Sequence, residues 1–127
     1  MAKEEKKILL VIEDEEMLLR ALYLAFLHSG YTIATASDGE TGLRMTERLK
    51  PNLVLLDLLL PKMSGFEYLK TIKSNPGLKS TPVIVLSNLG DKDDMEKATD
   101  LGAADYFIKA NTDLSVLAKK VDEILKA

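Results

Sequence analysis

Two rhythms of apolar and polar residues run along the chain. Five short apolar runs are each bounded by polar or turn residues: 8–12 (ILLVI), 31–36 (YTIATA), 53–56 (LVLL), 82–86 (PVIVL) and 105–108 (DYFI). Runs this short and rich in aliphatic and β-branched side chains predict strands buried on both faces, as in parallel sheets. Between them the apolar positions recur at helical spacing. The first helix is expected over 15–28, with Gly30 as its C-cap. The second covers about 38–49 and stops before Pro51. The third opens at Ser64, where Ser64-Gly65-Phe66-Glu67 has capping-box spacing, and ends near Asn75-Pro76-Gly77. The fourth covers 91–101, closed by Gly102, and the fifth runs from Thr112 to the C-terminus. Five strand-helix units in strict alternation predict an α/β domain: a parallel sheet with helices on both faces and right-handed crossovers. No linker, repeat or low-complexity stretch interrupts the pattern. One domain is expected over 8–127, after a flexible tail at 1–7.

The first helix departs from its neighbours. Between Met17 and Leu27 (MLLRALYLAFL) only Arg20 is charged. A surface helix shows one apolar stripe, whereas this one is apolar nearly all round. Either the core is generous there, or a partner covers the second side: a kinase helix bundle or another copy of the chain.

Composition mainly removes alternatives. The 127 residues suit a single compact domain. The net charge of −3, with no basic stripe, argues against direct nucleic-acid binding and against attraction to anionic membranes. The absence of cysteine excludes disulfides, thiolate catalysis and cysteine zinc sites, and the lone histidine, His28, excludes a multi-histidine metal centre. No apolar run approaches the ~20 residues of a membrane span. The opening MAKEEKK lacks a signal-peptide core, so a cytoplasmic location is expected.

Against this background Asp57 stands out, a carboxylate set between LVLL and LLL in the most apolar stretch. Burying an unpaired carboxylate is costly. Ligands of open α/β sheets gather at the carboxyl ends of strands, and the residues that follow each strand answer the puzzle. Strand 1 is followed by Glu13-Asp14-Glu15-Glu16, strand 3 by Asp57, strand 4 by Ser87 and strand 5 by Lys109. Neighbouring carboxylates disfavour joint ionisation, and a hard divalent cation resolves the conflict, Mg2+ being held by one or two carboxylates and several waters. A carboxylate so placed can act as nucleophile and form an acyl phosphate. The cation, Lys109 and Ser87 can then stabilise the equatorial oxygens of the phosphoryl group. Singly, each residue has a plainer reading: Asp57 as a turn residue, Glu13 and Asp14 as the acidic first turn of a helix, Lys109 as a solvated lysine. Their weight lies in shared placement.

With these residues in view, the chain resembles the receiver domains of two-component response regulators. The resemblance covers about 8–125 and rests on ILLVIED, VLLDLLLPKMSG, PVIVLSN and GAADYFIKA. It implies a flavodoxin-like (βα)5 fold with sheet order 2-1-3-4-5. It implies that Asp57 is the phosphoacceptor and that Mg2+ is held by Glu13, Asp14, Asp57 and the backbone carbonyl of Leu59. Ser87 is then the switch hydroxyl, Tyr106 the switch aromatic and Lys109 the phosphate-contacting lysine, with Asn88 beside them. Taken alone, Tyr106 could equally be a core aromatic. The implied partners are a sensor histidine kinase or phosphotransfer protein and a downstream protein that reads the face of the fourth helix, fifth strand and fifth helix; a second copy in a homodimer is a partner that the apolar first helix suggests. No enzymatic activity is expected beyond self-phosphorylation and self-dephosphorylation.

The sequence departs from the family pattern in four places. Ala110 follows the lysine where proline is usual, so a trans turn that shifts Lys109 is expected. Asn88 replaces a small residue and either restricts access to the phosphoryl group or hydrogen-bonds to it. Leu59 and Leu89 occupy positions that tune dephosphorylation; being apolar, they are expected to exclude water and lengthen the phosphorylated lifetime. The rival reading is a phosphorylation-independent interaction module of the same fold. A flavodoxin is disfavoured because EDEE after strand 1 would repel a phosphate. A haloacid-dehalogenase-type phosphatase is disfavoured because Leu59 stands where its second aspartate belongs.

Overall fold

A computed structural model describes residues 6–126. Most of the expected tail thus lies outside the described residues. Lys6 and Lys7 are exposed, but the Lys7 carbonyl already accepts the Thr32 N–H at 2.8 Å.

The strands are β1 (Ile8–Ile12), β2 (Thr32–Ala36), β3 (Leu53–Leu56), β4 (Val83–Ser87) and β5 (Asp105–Ile108). The helices are α1 (Glu16–Ala25), α2 (Gly39–Leu49), α3 (Gly65–Lys73), α4 (Lys92–Asp100) and α5 (Leu114–Leu125). All strand pairs are parallel, in the order β2-β1-β3-β4-β5. The fold is therefore the flavodoxin-like one, and the strand order reverses direction between β1 and β3.

Strand pleating sorts the core into two layers. Leu10, Ile12, Val54, Leu56, Val83 and Val85 face one side, where they pack with Tyr68, Leu69, Ile72 and Ala98 of α3 and α4. The alternate residues Leu9, Val11, Leu53, Leu55, Ile84 and Leu86 face the other, against Leu22 and Phe26 at α1 and Leu117, Val121 and Leu125 of α5. This is why the central strands read as unbroken apolar runs. Each fully buried aliphatic side chain contributes about 1.5–3 kcal/mol relative to exposure. Thr46 and Tyr68 form a buried polar link between α2 and α3: their hydroxyls lie 2.7 Å apart, and Thr46 also donates to the Gly42 carbonyl.

The starts of α2 and α3 follow the capping chemistry. Asp38 accepts the Thr41 N–H at 2.7 Å, and Ser64 accepts the Glu67 N–H at 3.1 Å. Helix ends differ from the expectations. α1 stops at Ala25, and Phe26, expected within the helix, is its C-cap with its N–H shared between the Leu22 and Tyr23 carbonyls. Phe26 turns into the core at 2% exposure, so apolar spacing continues after helical geometry has ceased. Gly30 takes a left-handed φ of +88°, but beyond the helix rather than as its C-cap. α5 begins at Leu114 because a short 3-10 turn, Lys109–Asn111, intervenes.

The second side of α1 is bare among the described residues. Met17 is 85% exposed and Leu24 62%, with Tyr23 and Leu27 close to half exposed, so a generous core does not account for the helix's composition.

Candidate functional site

The ladder carries the candidate residues to one edge. Ile12 of β1 pairs with Leu56 of β3, and the next residues are Glu13 and Asp57. Backbone bonds extend the sheet past the strand ends: Glu13 N–H donates to the Ala36 carbonyl at 2.9 Å and Asp57 N–H to the Ile12 carbonyl at 3.0 Å. Ser87 ends β4 opposite Ile108 of β5, which Lys109 follows. Glu13, Asp57 and Lys109 thus meet at the carboxyl edge, by the switch point between β1 and β3, and Ser87 lies on the same edge at the end of β4.

Asp57 is only 5% exposed, so leaving the strand does not free it from burial. Lys109 Nζ compensates it, 3.2 Å from Asp57 Oδ2, 2.7 Å from Glu13 Oε2 and 3.3 Å from Glu15 Oε2. Asp57 Oδ1 accepts the Leu59 N–H at 3.3 Å, which sets the Leu59 backbone beside the carboxylate. Burial pushes the Glu13 carboxyl up to about 7; the nearby Asp57 charge adds to this, while Lys109 and the Glu15 N–H oppose it. For Lys109, burial works against the charge, but Glu13 and Asp57 outweigh it and hold the ammonium above the usual lysine range.

Glu13, Asp14 and Asp57 each offer a carboxylate oxygen, and the three oxygens lie within 4.8 Å of one another. Two of these acids are buried and Asp14 is exposed, which gives the cluster a wet side. Hard oxygen donors with an open side fit Mg2+ or a similar cation. The Asp57 charge, which adds to burial in raising the Glu13 proton affinity, fits it too.

The backbone of Leu89 links Ser87 and Tyr106. Ser87 is fully buried and its Oγ accepts the Leu89 N–H at 3.3 Å, while the Tyr106 hydroxyl donates to the Leu89 carbonyl. Tyr106 is half-buried and packs against the α3 and α4 layer. Asn88 is exposed, and among the described residues it makes no hydrogen bond to Asp57 or Lys109. No cis peptide occurs among the described residues, so Ala110 follows Lys109 in trans. Lys109 nevertheless reaches Asp57, because the carboxylates facing it, rather than the next residue, hold its ammonium. Leu59 is 58% exposed beside Asp57. Sequence reasoning missed Glu15, whose contact with a lysine 94 positions away had no local signal beyond its place in an acidic run.

A family model for the response regulator receiver domain matches residues 9–122. The chain belongs to that family. This receiver is 43% identical over 102 residues to the transcriptional regulatory protein KdpE of Mycobacterium tuberculosis, a match covering 80% of the chain and 44% of that protein. The receiver therefore spans less than half the length of that relative. Two solved structures match along nearly their whole length. The Mn(2+)-bound form of response regulator Rcp1 has a TM-score of 0.80 and 32% identity, over 93% of this chain and 91% of the other. The phosphorylated cyanobacterial phytochrome response regulator RcpA has a TM-score of 0.84 and 31% identity, over 97% and 96%. The receiver is a regulatory module of two-component signalling. Among its described residues no helix is long and apolar enough to cross a membrane.

Proposed function

We propose that the receiver is a cytoplasmic phosphoacceptor switch in which Asp57 takes a phosphoryl group from a sensor histidine kinase or phosphotransfer protein. The convergence of Asp57 with Glu13, Asp14 and Lys109 at one sheet edge carries this reading. An Asp57 carboxylate oxygen attacks phosphorus, the phosphorus–nitrogen bond of the donor phosphohistidine breaks, and the imidazole leaves and takes up a proton. Asp57 becomes an acyl phosphate. Glu13, Asp14, Asp57 and the Leu59 carbonyl would hold Mg2+, which, when bound, neutralises charge on the transferring group. Lys109 donates to the phosphoryl oxygens from the β5 side, and the Ser87 O–H supplies a further donor. That two relatives were solved as a Mn(2+)-bound form and as a phosphorylated form supports the comparison.

The switch follows from Leu89, whose N–H and carbonyl lie in successive peptide groups. When Ser87 turns toward the phosphoryl group, the Leu89 N–H loses its acceptor and the turn after β4 shifts. Tyr106, tied to the carbonyl of the same residue, follows it inward, and the α4-β5-α5 face changes for a downstream partner. Asn88 lies at the mouth of this turn and limits access to the group. Intact mass after incubation with acetyl phosphate and Mg2+ tests the reading. The wild type gains one phosphoryl group and Asp57→Asn gains none. No gain in the wild type would leave a phosphorylation-independent interaction module.

A further inference from the structure

Glu15 has no part in the transfer just described, yet its carboxylate lies in the site. It is the N-cap residue of α1, but its side chain makes no capping bond. Its N–H donates to Glu13 Oε1 at 3.0 Å, and its own Oε2 reaches Lys109 Nζ at 3.3 Å. Lys109 thus faces Glu13, Asp57 and Glu15, and an ammonium has three N–H donors to share among them.

The proposed chemistry removes two of these acceptors. Glu13 would hold the cation when it is bound, and an Asp57 oxygen becomes part of the acyl phosphate. Glu15, 58% exposed at the rim, is the one carboxylate of the three left to hold Lys109 beside the phosphoryl oxygens. Lys109 stands in a 3-10 turn with no buried residue and has a flexible four-carbon stem, so its own segment does little to fix the ammonium. Resting on the phosphoacceptor reading, we propose that Glu15 is a positioning residue: it keeps the Lys109 ammonium at Asp57 while Glu13 and Asp57 engage the cation and the phosphoryl group. Glu15 makes and breaks no covalent bond. It lowers the ordering that transfer would otherwise require of Lys109.

The test compares Glu15→Ala with Glu15→Gln, since glutamine keeps an acceptor oxygen and loses the charge. With acetyl phosphate and Mg2+, the rate of mass gain should fall about fivefold in Glu15→Ala and recover most of the way in Glu15→Gln. The Mg2+ concentration for half-maximal thermal stabilisation should stay unchanged in both. In a Lys109→Ala background, Glu15→Ala should slow nothing further, because the pair acts as a unit. If both variants are faster, Glu15 merely repels the anionic donor and the proposal falls; an equal slowing without Lys109 overturns it too. Nitrogen-15 NMR of the lysine ammonium in the Mg2+-loaded protein gives a readout independent of transfer. The Lys109 signal should be motionally restricted in wild type and Glu15→Gln and released in Glu15→Ala; the same mobility in all three overturns the proposal. If the wild type gains no phosphoryl mass, the phosphoacceptor reading fails, and this spectrum alone decides the role of Glu15.

Discussion

Glu13 makes the metal-free receiver less stable as the solution becomes less acid. Its carboxyl titrates near 7 in the folded chain and at the ordinary 4.5 when unfolded. Between these values the folded state holds a proton that the unfolded state has released, so stability falls as pH rises through the window. Two other perturbed groups act elsewhere. The Lys109 ammonium is held above its ordinary 10.5, so its stabilising contribution is lost only at higher pH. Asp38 is held below its ordinary 3.8 by the Thr41 N–H, so its contribution is lost only in stronger acid. At about 1.4 kcal/mol per tenfold change in proton affinity, moving from about pH 5.5 to about pH 7.5 removes roughly 2 kcal/mol. For a domain of this size that is a fall in Tm of about 6 °C. The assay is thermal unfolding in EDTA across that range, on wild type and Glu13→Gln. The wild-type Tm falls with pH and the variant's falls by less. Added Mg2+, which binds the ionised acids, raises the wild-type Tm more at the upper end than at the lower. A wild-type Tm that rises over the window in EDTA, or equal slopes in the two proteins, would refute the raised proton affinity of buried Glu13.

Other outcomes follow from single contacts. Leu59→Asn places a polar, water-holding side chain beside Asp57 and should shorten the phosphorylated half-life about 3- to 10-fold by intact mass, whereas an unchanged half-life would remove Leu59 from control of water. Tyr68→Phe deletes the donor to Thr46 and should lower stability by about 1–2 kcal/mol in urea unfolding, with the phosphoryl gain intact. If the bare face of α1 is a partner surface, Met17→Lys with Leu24→Lys should leave Tm within a few degrees while changing either mass in solution or transfer from a histidine kinase; no change in both would retire that face.

The sheet was legible because β1, β3 and β4 are buried on both sides and so carry no polar residue until they end. That same rule exposed Glu13, Asp57, Ser87 and Lys109, each at or just past a strand terminus. Helix ends were less legible. In α1 the apolar run passes through Phe26, and packing into the core rather than helical spacing accounts for it. Ala110 misled for a related reason. The sequence neighbour of Lys109 pointed to a displaced ammonium, but carboxylates contributed by β1, β3 and the start of α1 set its position. Those contacts, like Glu15's, exist only after folding.

Gly65 opens α3 directly beneath the Asp57 peptide. A methyl group built there would lie 2.4 Å from the Asp57 carbonyl oxygen and 2.6 Å from the Leu58 Cα, both backbone atoms with little freedom to yield. A position that carries no chemistry is therefore sterically fixed, since any larger residue would lever Asp57 away from its neighbours. At the rim no such obstacle stands: Leu59, Asn88 and Glu15 are exposed, so their side chains can change while the seat of Asp57 stays put.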